Sequence, residues 1–340
     1  MPDWKIFQGN KTPPHNRLKD LPAPPVWRSF GGVTTQPNPP DPEFRDPYWR
    51  AEMDRGERFR IDDEDPNNSI REAVNAALYL RRPLFLTGRP GTGKSSLIYA
   101  VAHELQMGPV LKWSITSRTT LKHGLYEYDA LERLREVQDR EGGQHKADPR
   151  GQGIGKYFTL GPLGTALYPT NWPRALLIDE IDKADLDLPN DLLNIFEDGR
   201  FAIPELERYE EQAVVSVNAI ATLKGQKLDI ERGRVQCTQF PFVVLTSNGE
   251  REFPGPFLRR CIRTRIDDPS ESQLGEIVQA HLGSDLRTVA QTLISDFAKD
   301  RSKLATDQLL NTVYMTAGAI KPESLEEIRK LRELLMKHLQ

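Results

Sequence analysis

Residues 83–96 read PLFLTGRPGTGKSS, and this stretch decides the fold of the chain. Its glycine-rich part, Gly88 to Ser95, matches the pattern G-x-x-x-x-G-K-[ST] at every position. A short apolar strand is predicted at Pro83 to Thr87, and an amphipathic helix from Lys94 to about Gln106. A strand that runs through such a loop into a helix predicts an α/β fold with a parallel sheet.

The glycine-rich loop predicts a binding site for the phosphates of a nucleotide. Its glycines allow successive backbone N–H groups to face phosphate oxygens at the positive end of the helix. Lys94 is predicted to reach the β- and γ-phosphates, and the Ser95 hydroxyl to ligate magnesium. A chance glycine-rich turn is the alternative, and the flanking strand and helix argue against it. The residues of the loop predicted to bind nucleotide are Gly88, Pro90, Gly91, Thr92, Gly93, Lys94, Ser95 and Ser96.

Two carboxylates follow a second apolar strand, Ala175 to Asp179, which is of the buried parallel type. A carboxylate at the end of a buried strand is costly unless it faces a cation or hydrogen-bond donors. Asp179 is therefore predicted to bind the nucleotide's magnesium, through water or together with Ser95, and Glu180 to polarise an attacking water. The alternative is an aspartate that caps the next helix. The intact loop upstream favours the catalytic interpretation.

Further polar positions follow in order along the chain. Asn248 comes after the strand PFVVL and is predicted to orient the attacking water, although Asn248-Gly249 is also a strong turn former, and both can hold. Arg259 and Arg260 precede the helical end of the chain. Hydrolysis builds charge on the transferred phosphoryl group, and an arginine from another subunit can stabilise that charge.

Composition narrows the class of protein. The chain has 340 residues, 28% of them charged, and a formal net charge of −3, which gives no overall attraction to nucleic acid or anionic lipid. Two cysteines and six scattered histidines form no metal-ligand spacing or disulfide framework. Neither a signal peptide nor a long apolar run is evident, so we expect a cytoplasmic protein without a membrane segment.

The patterns divide the chain into an extension at 1–67, an α/β nucleotide-binding domain at 68–267 and a helical lid at 268–340. Residues 1–50 hold 11 of the 26 prolines and are expected to contain no regular helix. Their aromatics, which include Trp4, Phe7, Trp27 and Phe30, suggest a segment that wraps its own domain or a neighbouring subunit, and a disordered linker is the alternative.

Local patterns predict several further elements. A helix is predicted to begin at Ser69 as N-cap, with Glu72 three residues on as in a capping box. Residues 126–155 are charged and glycine-rich and are expected to be an insert that packs little core. Residues 213–240 alternate as a β-hairpin with its turn at Lys224-Gly225. Helical stripes follow in the lid, one of them formed by Leu286, Val289, Leu293 and Phe297.

The order of these motifs resembles the AAA+ ATPases and, within them, the MoxR branch. The resemblance runs from residue 68 to about 315 and rests on RPLFLTGRPGTGKSS, KYFTLGPLGTAL, LLIDEIDKADLDLPNDLLNIFEDGRF and TSNGEREFPGPFLRRC. It implies an αβα core with a parallel sheet and a small all-α lid, with ATP and Mg²⁺ as cofactors. The phosphate loop by itself does not distinguish ATP from GTP.

The resemblance also implies roles for individual residues. Lys94 and Ser95 would be Walker A residues, and Asp179 and Glu180 the Walker B pair. Asn248 would be sensor 1. Arg260 would be the trans-acting arginine finger, with Arg259 ranked second because the family usually has aspartate there. The insert and the hairpin lie where the family carries elements that commonly face the central pore.

One position departs from the family. MoxR proteins usually carry a sensor-2 arginine in the lid, and this chain has Leu304-Ala-Thr-Asp307-Gln308 there. Either another basic residue, such as Arg301 or Lys303, takes that role, or the lid closes on ATP differently.

The resemblance implies a hexameric, chaperone-like ring that uses ATP hydrolysis to remodel a protein partner. MoxR proteins are commonly linked to proteins with von Willebrand factor A domains. The alternatives are a nucleic-acid-linked motor or defence component, and a switch that binds nucleotide but hydrolyses it slowly. The mixed charges of the hairpin and the net acidic chain argue against nucleic acid, and Glu180 and Asn248 argue against the slow switch.

Overall fold

The computed structural model describes residues 4–10, 12–33, 47–61, 69–141, 153–209, 213–220, 223, 226–300, 305–317 and 325–335. The helices are α1 (Pro47–Arg58), α2 (Ile70–Leu80), α3 (Lys94–Glu104), α4 (Leu121–Leu125), α5 (Ala130–Glu141), α6 (Pro162–Ala166), α7 (Asp187–Asp198), α8 (Pro204–Glu207), α9 (Gly255–Leu258), α10 (Glu271–Leu282), α11 (Ser284–Val289), α12 (Gln291–Asp300), α13 (Thr306–Ala317) and α14 (Leu325–Leu335). The strands are β1 (Leu84–Gly88), β2 (Leu111–Ser114), β3 (Tyr126–Tyr128), β4 (Phe158–Leu160), β5 (Ala175–Asp179), β6 (Arg200–Ala202), β7 (Val214–Asn218), β8 (Lys227–Glu231), β9 (Arg234–Gln236), β10 (Phe242–Ser247) and β11 (Ile262–Ile266).

The central sheet has five strands in the order β11-β1-β10-β5-β2, and all of its pairings are parallel. Residues alternate between its two faces. Val244 packs into a core formed with α2 and α3, and its neighbour Leu245 packs into a second core formed with α6 and α7. Because helices cover both faces, the central strands are apolar along most of their length and carry polar residues only at their carboxyl ends. The predicted α/β fold with a parallel sheet is confirmed.

A second sheet has six strands in the order β3-β4-β7-β8-β9-β6. Strands β7 and β8 pair antiparallel from Val214 opposite Glu231 to Asn218 opposite Lys227. The turn predicted at residues 224–225 lies outside the described residues. Strands β8 and β9 continue the pairing through a tight turn that contains Gly233 at φ 69°.

The segment predicted as an insert differs from its prediction at both ends. Tyr126 and Ile154 are buried in the core beside α6 and α7, so these ends are part of the folded domain. The helix α5 between them carries exposed apolar side chains, among them Leu131 and Leu134. The prediction of little core packing therefore fits α5 and not the ends of the segment. Residues 142–152 lie outside the described part.

Of the alternatives for the N-terminal segment, wrapping of its own domain is the one observed. Ile6 and Phe7 are buried, and their backbone N–H groups donate to Oδ1 of Asn75 over 2.8 and 3.0 Å. Gln8 and Gly9 donate in the same way to the two carboxylate oxygens of Glu104, over 2.7 and 2.8 Å. Buried side chains of α2 and α3 thus bind an extended backbone that has no strand partner.

One local prediction for the first 80 residues is wrong, and a second holds only in part. A helix was not expected before residue 50, yet α1 begins at Pro47, because proline is tolerated in the first turn of a helix. Ser69 occupies the N-cap position of α2 as predicted, but its side chain forms no capping bond, and its hydroxyl lies 3.1 Å from that of Thr264. Glu72 pairs with Lys5 of the N-terminal segment instead of reaching back to the helix start. Partners distant in sequence have replaced the local capping box.

The C-terminal helices form a small core of their own around Leu274, Val278, Phe297, Leu309 and Val313. The stripe predicted through Val289 is wrong at that residue, which is 69% exposed. The cause is a break at Ala290, since α11 ends at Val289 and α12 starts at Gln291. In the described part of the chain, no helix is long and apolar enough to cross a membrane.

Candidate nucleotide-binding site

The glycine-rich loop connects the end of β1 to the start of α3. Gly91 and Gly93 have φ values of 79° and 85°, a region that favours glycine. A Cβ on Gly91 would also lie 2.4 Å from Cβ of Ala305, just before α13. The loop is therefore in close contact with the residue that precedes α13. Only glycine satisfies both the backbone conformation and the close approach.

Lys94 occupies the centre of the site and is 7% exposed. Its Nζ donates to the carbonyl oxygens of Gly88 and Arg89 and to Oδ1 of Asn248, each over 2.8 Å. Burial lowers the pKa of the Lys94 ammonium, and the carboxylates of Asp182, Asp179 and Glu180 oppose that shift. A buried cation aimed at the mouth of a glycine-rich loop provides charge for a phosphate.

Asp179 lies at the end of β5, next to the start of α3. Its Oδ1 accepts from the hydroxyls of Ser95 over 2.6 Å and Thr246 over 2.8 Å, and its Oδ2 lies 3.2 Å from Nζ of Lys112. Burial by itself would raise the pKa of Asp179, but the hydrogen bonds from Ser95, Thr246 and Lys112 bring it below its ordinary value. The side chain is therefore a carboxylate at neutral pH.

The pair of Ser95 and Asp179 fits a magnesium site. A hydroxyl oxygen and a carboxylate oxygen 2.6 Å apart are the hard ligands that Mg²⁺ prefers. Mg²⁺ usually takes one or two protein ligands and completes its shell with water and phosphate oxygens. The described residues contain no group of three or more His, Cys, Asp or Glu side chains that could hold a metal by themselves.

Glu180 follows Asp179 directly and has a left-handed backbone at φ 60°. Its N–H donates to the Thr246 hydroxyl over 2.9 Å, and Oε2 accepts from Nζ of Lys183 over 2.7 Å. A left-handed conformation is costly for a glutamate and is characteristic of functional sites. This backbone conformation turns the side chain of Glu180 away from the strand. The side chain lies on the cavity wall and is 43% exposed.

Asn248 directly follows β10, whose Thr246 contacts Asp179 and the backbone of Glu180, as expected for parallel strands that end at the same edge. It meets Lys94 through its side chain, while Gly249 takes a turn conformation at φ 79°. The backbone therefore fits the turn predicted for the Asn248-Gly249 pair, while the role of Asn248 in orienting water stays a prediction. The N–H of Asn248 also donates to Asp182, a residue that our sequence analysis did not single out.

Arg260 is separate from this group. It follows α9, its Nε lies 2.8 Å from Oε1 of Glu197, and it does not line the cavity of its own chain. The neighbouring Arg259 accepts, through its carbonyl oxygen, a hydrogen bond from Arg82 over 2.8 Å. Arg301 and Lys303, named as substitutes for the sensor-2 arginine, lie outside the described residues.

The loop, the strand ends and the helices α1, α10 and α13 enclose a cavity of about 560 Å³. All the predicted nucleotide-binding residues except Gly88 line it, as do Glu180 and Asn248. The sequence did not predict the wall formed by α1 and the residues after it, Arg55, Arg58, Phe59 and Arg60. The basic run in RGERFR was the visible signal, but nothing in it indicates a phosphate site.

Comparison with known proteins agrees with this geometry. Residues 83–236 match the family model described as AAA domain (dynein-related subfamily). The parallel sheet, the glycine-rich loop, the strand-end carboxylate and this match together support an AAA+ P-loop ATPase. A search of curated proteins gave no match to the chain.

Proposed function

We propose that the chain hydrolyses ATP with magnesium as one subunit of a ring and uses the energy to remodel a protein partner. The observation that carries the proposal is the convergence of Ser95, Asp179, Lys94 and Asn248 within hydrogen-bond distance at one sheet edge. Their separation in sequence excludes a merely local turn, since Asn248 is 154 residues from Lys94.

In this proposal the backbone N–H groups of the loop and Nζ of Lys94 bind the β- and γ-phosphates. Ser95 and Asp179 would hold the magnesium ion, which would neutralise charge on the phosphate oxygens when bound. Because the lowered pKa keeps Asp179 ionised, this carboxylate would be ready to bind a cation at neutral pH.

Glu180 is proposed to polarise the attacking water, and Asn248 to orient that water against the γ-phosphate. The ion pair with Lys183 holds the Glu180 carboxylate at the rim of the cavity. This contact is exposed and therefore weak, so the carboxylate can exchange Lys183 for a water. Asn248 can similarly exchange its contact with Lys94 for one with the nucleotide.

The ring is proposed because Arg260 lies outside its own cavity. An arginine finger in that position would complete the site of a neighbouring subunit. A hexamer and a client with a von Willebrand factor A domain are what the MoxR resemblance suggests. A nucleic-acid client is less well supported, because in the described hairpin the carboxylates of Asp229 and Glu231 lie among the basic residues Lys227, Arg232 and Arg234.

The central test is Glu180→Gln, with Glu132→Gln on the exposed face of α5 as the matched control. Phosphate release and ATP binding are measured with ATP and Mg²⁺ and again after chelation. We expect Glu180→Gln to retain ATP while turnover falls about 10²- to 10⁴-fold, and chelation to stop turnover of the unaltered protein. Unchanged turnover in Glu180→Gln would exclude this role for Glu180, and turnover without a divalent ion would exclude the metal site.

The client is tested by affinity capture. Glu180→Gln with ATP should hold the nucleotide-bound assembly together, so proteins that it retains are compared with those retained by Lys94→Ala, which should bind nucleotide poorly. A protein enriched specifically with Glu180→Gln would support a protein client. Enrichment of nucleic acid, with a steep salt dependence, would favour the alternative motor.

A further inference from the structure

Helix α1 forms part of the nucleotide cavity and is held firmly against the helix that follows the phosphate loop. Gly56 makes the contact close, since a Cβ at this position would lie 2.4 Å from the carbonyl oxygen of Tyr99 in α3. Trp49 at the start of α1 is also buried. Because the backbone of α1 meets the backbone of α3, residues on the cavity side of α1 have a defined place relative to the loop.

Arg55 extends from α1 towards the glycine-rich loop and contacts two residues of α3. Its Nε donates to the hydroxyl of Ser96 over 3.1 Å, and its guanidinium carbon lies 4.6 Å from the centre of the Tyr99 ring. Stacking on an aromatic ring and one hydrogen bond at Nε restrict the orientation of the guanidinium group. The N–H groups of its two terminal nitrogens remain available to another partner.

The other two arginines on this wall are already engaged. Nη1 of Arg60 donates to the carbonyl oxygens of Glu57 and Phe59, each over 2.7 Å, and Arg58 faces Asp54 at 3.9 Å. Arg55 differs from both, because within the described part of the chain no carboxylate pairs with it and nothing bonds its terminal nitrogens. A planar cation with free donors on a cavity wall fits an anionic oxygen.

The position of Ser96 indicates which part of a nucleotide would meet Arg55. Glu180 and Asn248 lie at the strand ends, where the γ-phosphate would be attacked, whereas Ser96 lies one residue further into α3 than the magnesium-binding Ser95. Backbone groups of a P-loop at the helix start cradle the α- and β-phosphates. Arg55 is therefore placed at the α-phosphate side of the site, away from the reacting bond.

We propose that Arg55 of α1 binds the α-phosphate region of the nucleotide, so that the N-terminal segment is part of the nucleotide site. The inference rests on the proposed function. A contact of this kind is the same before and during hydrolysis, so it strengthens binding without changing the chemical step. It also makes the wrapped segment sensitive to bound nucleotide, whether ATP or ADP.

The test measures binding of a fluorescent ADP analogue, and its competition by ATP, ADP and adenosine, for the unaltered chain and for Arg55→Ala. We expect Arg55→Ala to lose about tenfold in affinity for both ATP and ADP, equivalent to one charge-assisted hydrogen bond. Adenosine should compete equally with both proteins, and kcat at saturating ATP should stay unchanged. Arg50→Ala, at an exposed arginine of the same helix that does not line the cavity, is the matched control.

The possible outcomes separate the inference from the proposed function. If the unaltered chain binds neither nucleotide, the proposed function itself fails. If it binds both and Arg55→Ala binds them equally well, the inference is wrong. A loss of affinity for ATP alone would place the contact at the γ-phosphate and would also overturn the inference. An equal loss of affinity for adenosine would mean that Arg55 only positions α1, and the inference would be wrong. Arg55→Lys and Ser96→Ala would then test that structural role.

Discussion

The N–H of Asn248 donates to Oδ2 of Asp182 over 2.8 Å, and this bond ties the end of β10 to the turn after β5. Asp182 is 6% exposed and also accepts from the N–H of Glu250 over 3.3 Å. Since the side chain of Asn248 meets Lys94, Asp182 sets the position of the residue proposed to orient water. A buried carboxylate that serves backbone donors in this way acts on the site through another residue.

Replacing Asp182 with alanine should lower turnover more than nucleotide binding. The substitution leaves two backbone N–H groups unpaired, so the loop that carries Asn248 loses its fixed position, and we expect kcat to fall about 10- to 100-fold. Asp182→Asn keeps an acceptor oxygen and should recover part of the loss. Steady-state kinetics and ATP affinity are measured beside Asp191→Asn, an exposed control in α7. Equal kcat values for Asp182→Ala and the control would contradict the prediction.

Arg260→Ala should bind ATP normally and hydrolyse it slowly, because the arginine would act on the site of the next subunit. The loss expected for an arginine finger is about 10³-fold or more. Mixing Arg260→Ala with Lys94→Ala subunits should restore some turnover, since the intact Arg260 of one type then faces the intact loop of the other. Arg332→Ala, at an exposed arginine of α14, serves as control. Full activity of Arg260→Ala alone would rule out the shared site.

Glu197→Gln should reduce turnover less than Arg260→Ala does. Oε1 of Glu197 lies 2.8 Å from Nε of Arg260, and Oε2 accepts from the buried Arg28 of the N-terminal segment over 3.4 Å. Removing the charge frees Arg260 to take other orientations, so kcat should fall about two- to tenfold, because an exposed ion pair contributes about 1 kcal/mol or less. The kinetics of the double variant test whether Glu197 acts through Arg260. With Arg260→Ala present, Glu197→Gln should have no further effect on kcat.

Asn75→Ala should destabilise the fold although it is far from the cavity. Asn75 is fully buried, and its side chain bonds the backbone of Ile6, Phe7 and Arg71 over 2.8 to 3.0 Å. The substitution leaves buried backbone groups unpaired at about 1–3 kcal/mol each. Urea unfolding of Asn75→Ala is compared with that of Asn194→Ala. Because Asn194 is exposed on α7, this control should have a free energy of unfolding within about 0.5 kcal/mol of that of the unaltered chain. Similar midpoints for the two variants would show that the segment adds no stability.

The sequence predicted the structure best where a local motif and the sheet topology act together. The pattern from Gly88 to Ser95 sets the turn from strand to helix, because only its glycines permit that backbone. Parallel strands end at one edge of their sheet, so the polar residues after two apolar strands, Asp179 and Asn248, could be expected near the loop. The first expectation depends on residues adjacent in the chain, and the second depends on strand direction. The sequence alone therefore supports both.

The sequence by itself determined the phosphate loop, the strand-end carboxylates and the parallel sheet, since each depends on residues adjacent in the chain or on strand direction. Only the tertiary structure decided which partners the polar side chains take. Ser69 meets Thr264 instead of capping its own helix, Asn75 binds the backbone of residues 6 and 7, and Arg55 lies beside Ser96 on the cavity wall. Such contacts join segments 41 to 195 residues apart, and their energies depend on burial and packing that no local pattern records.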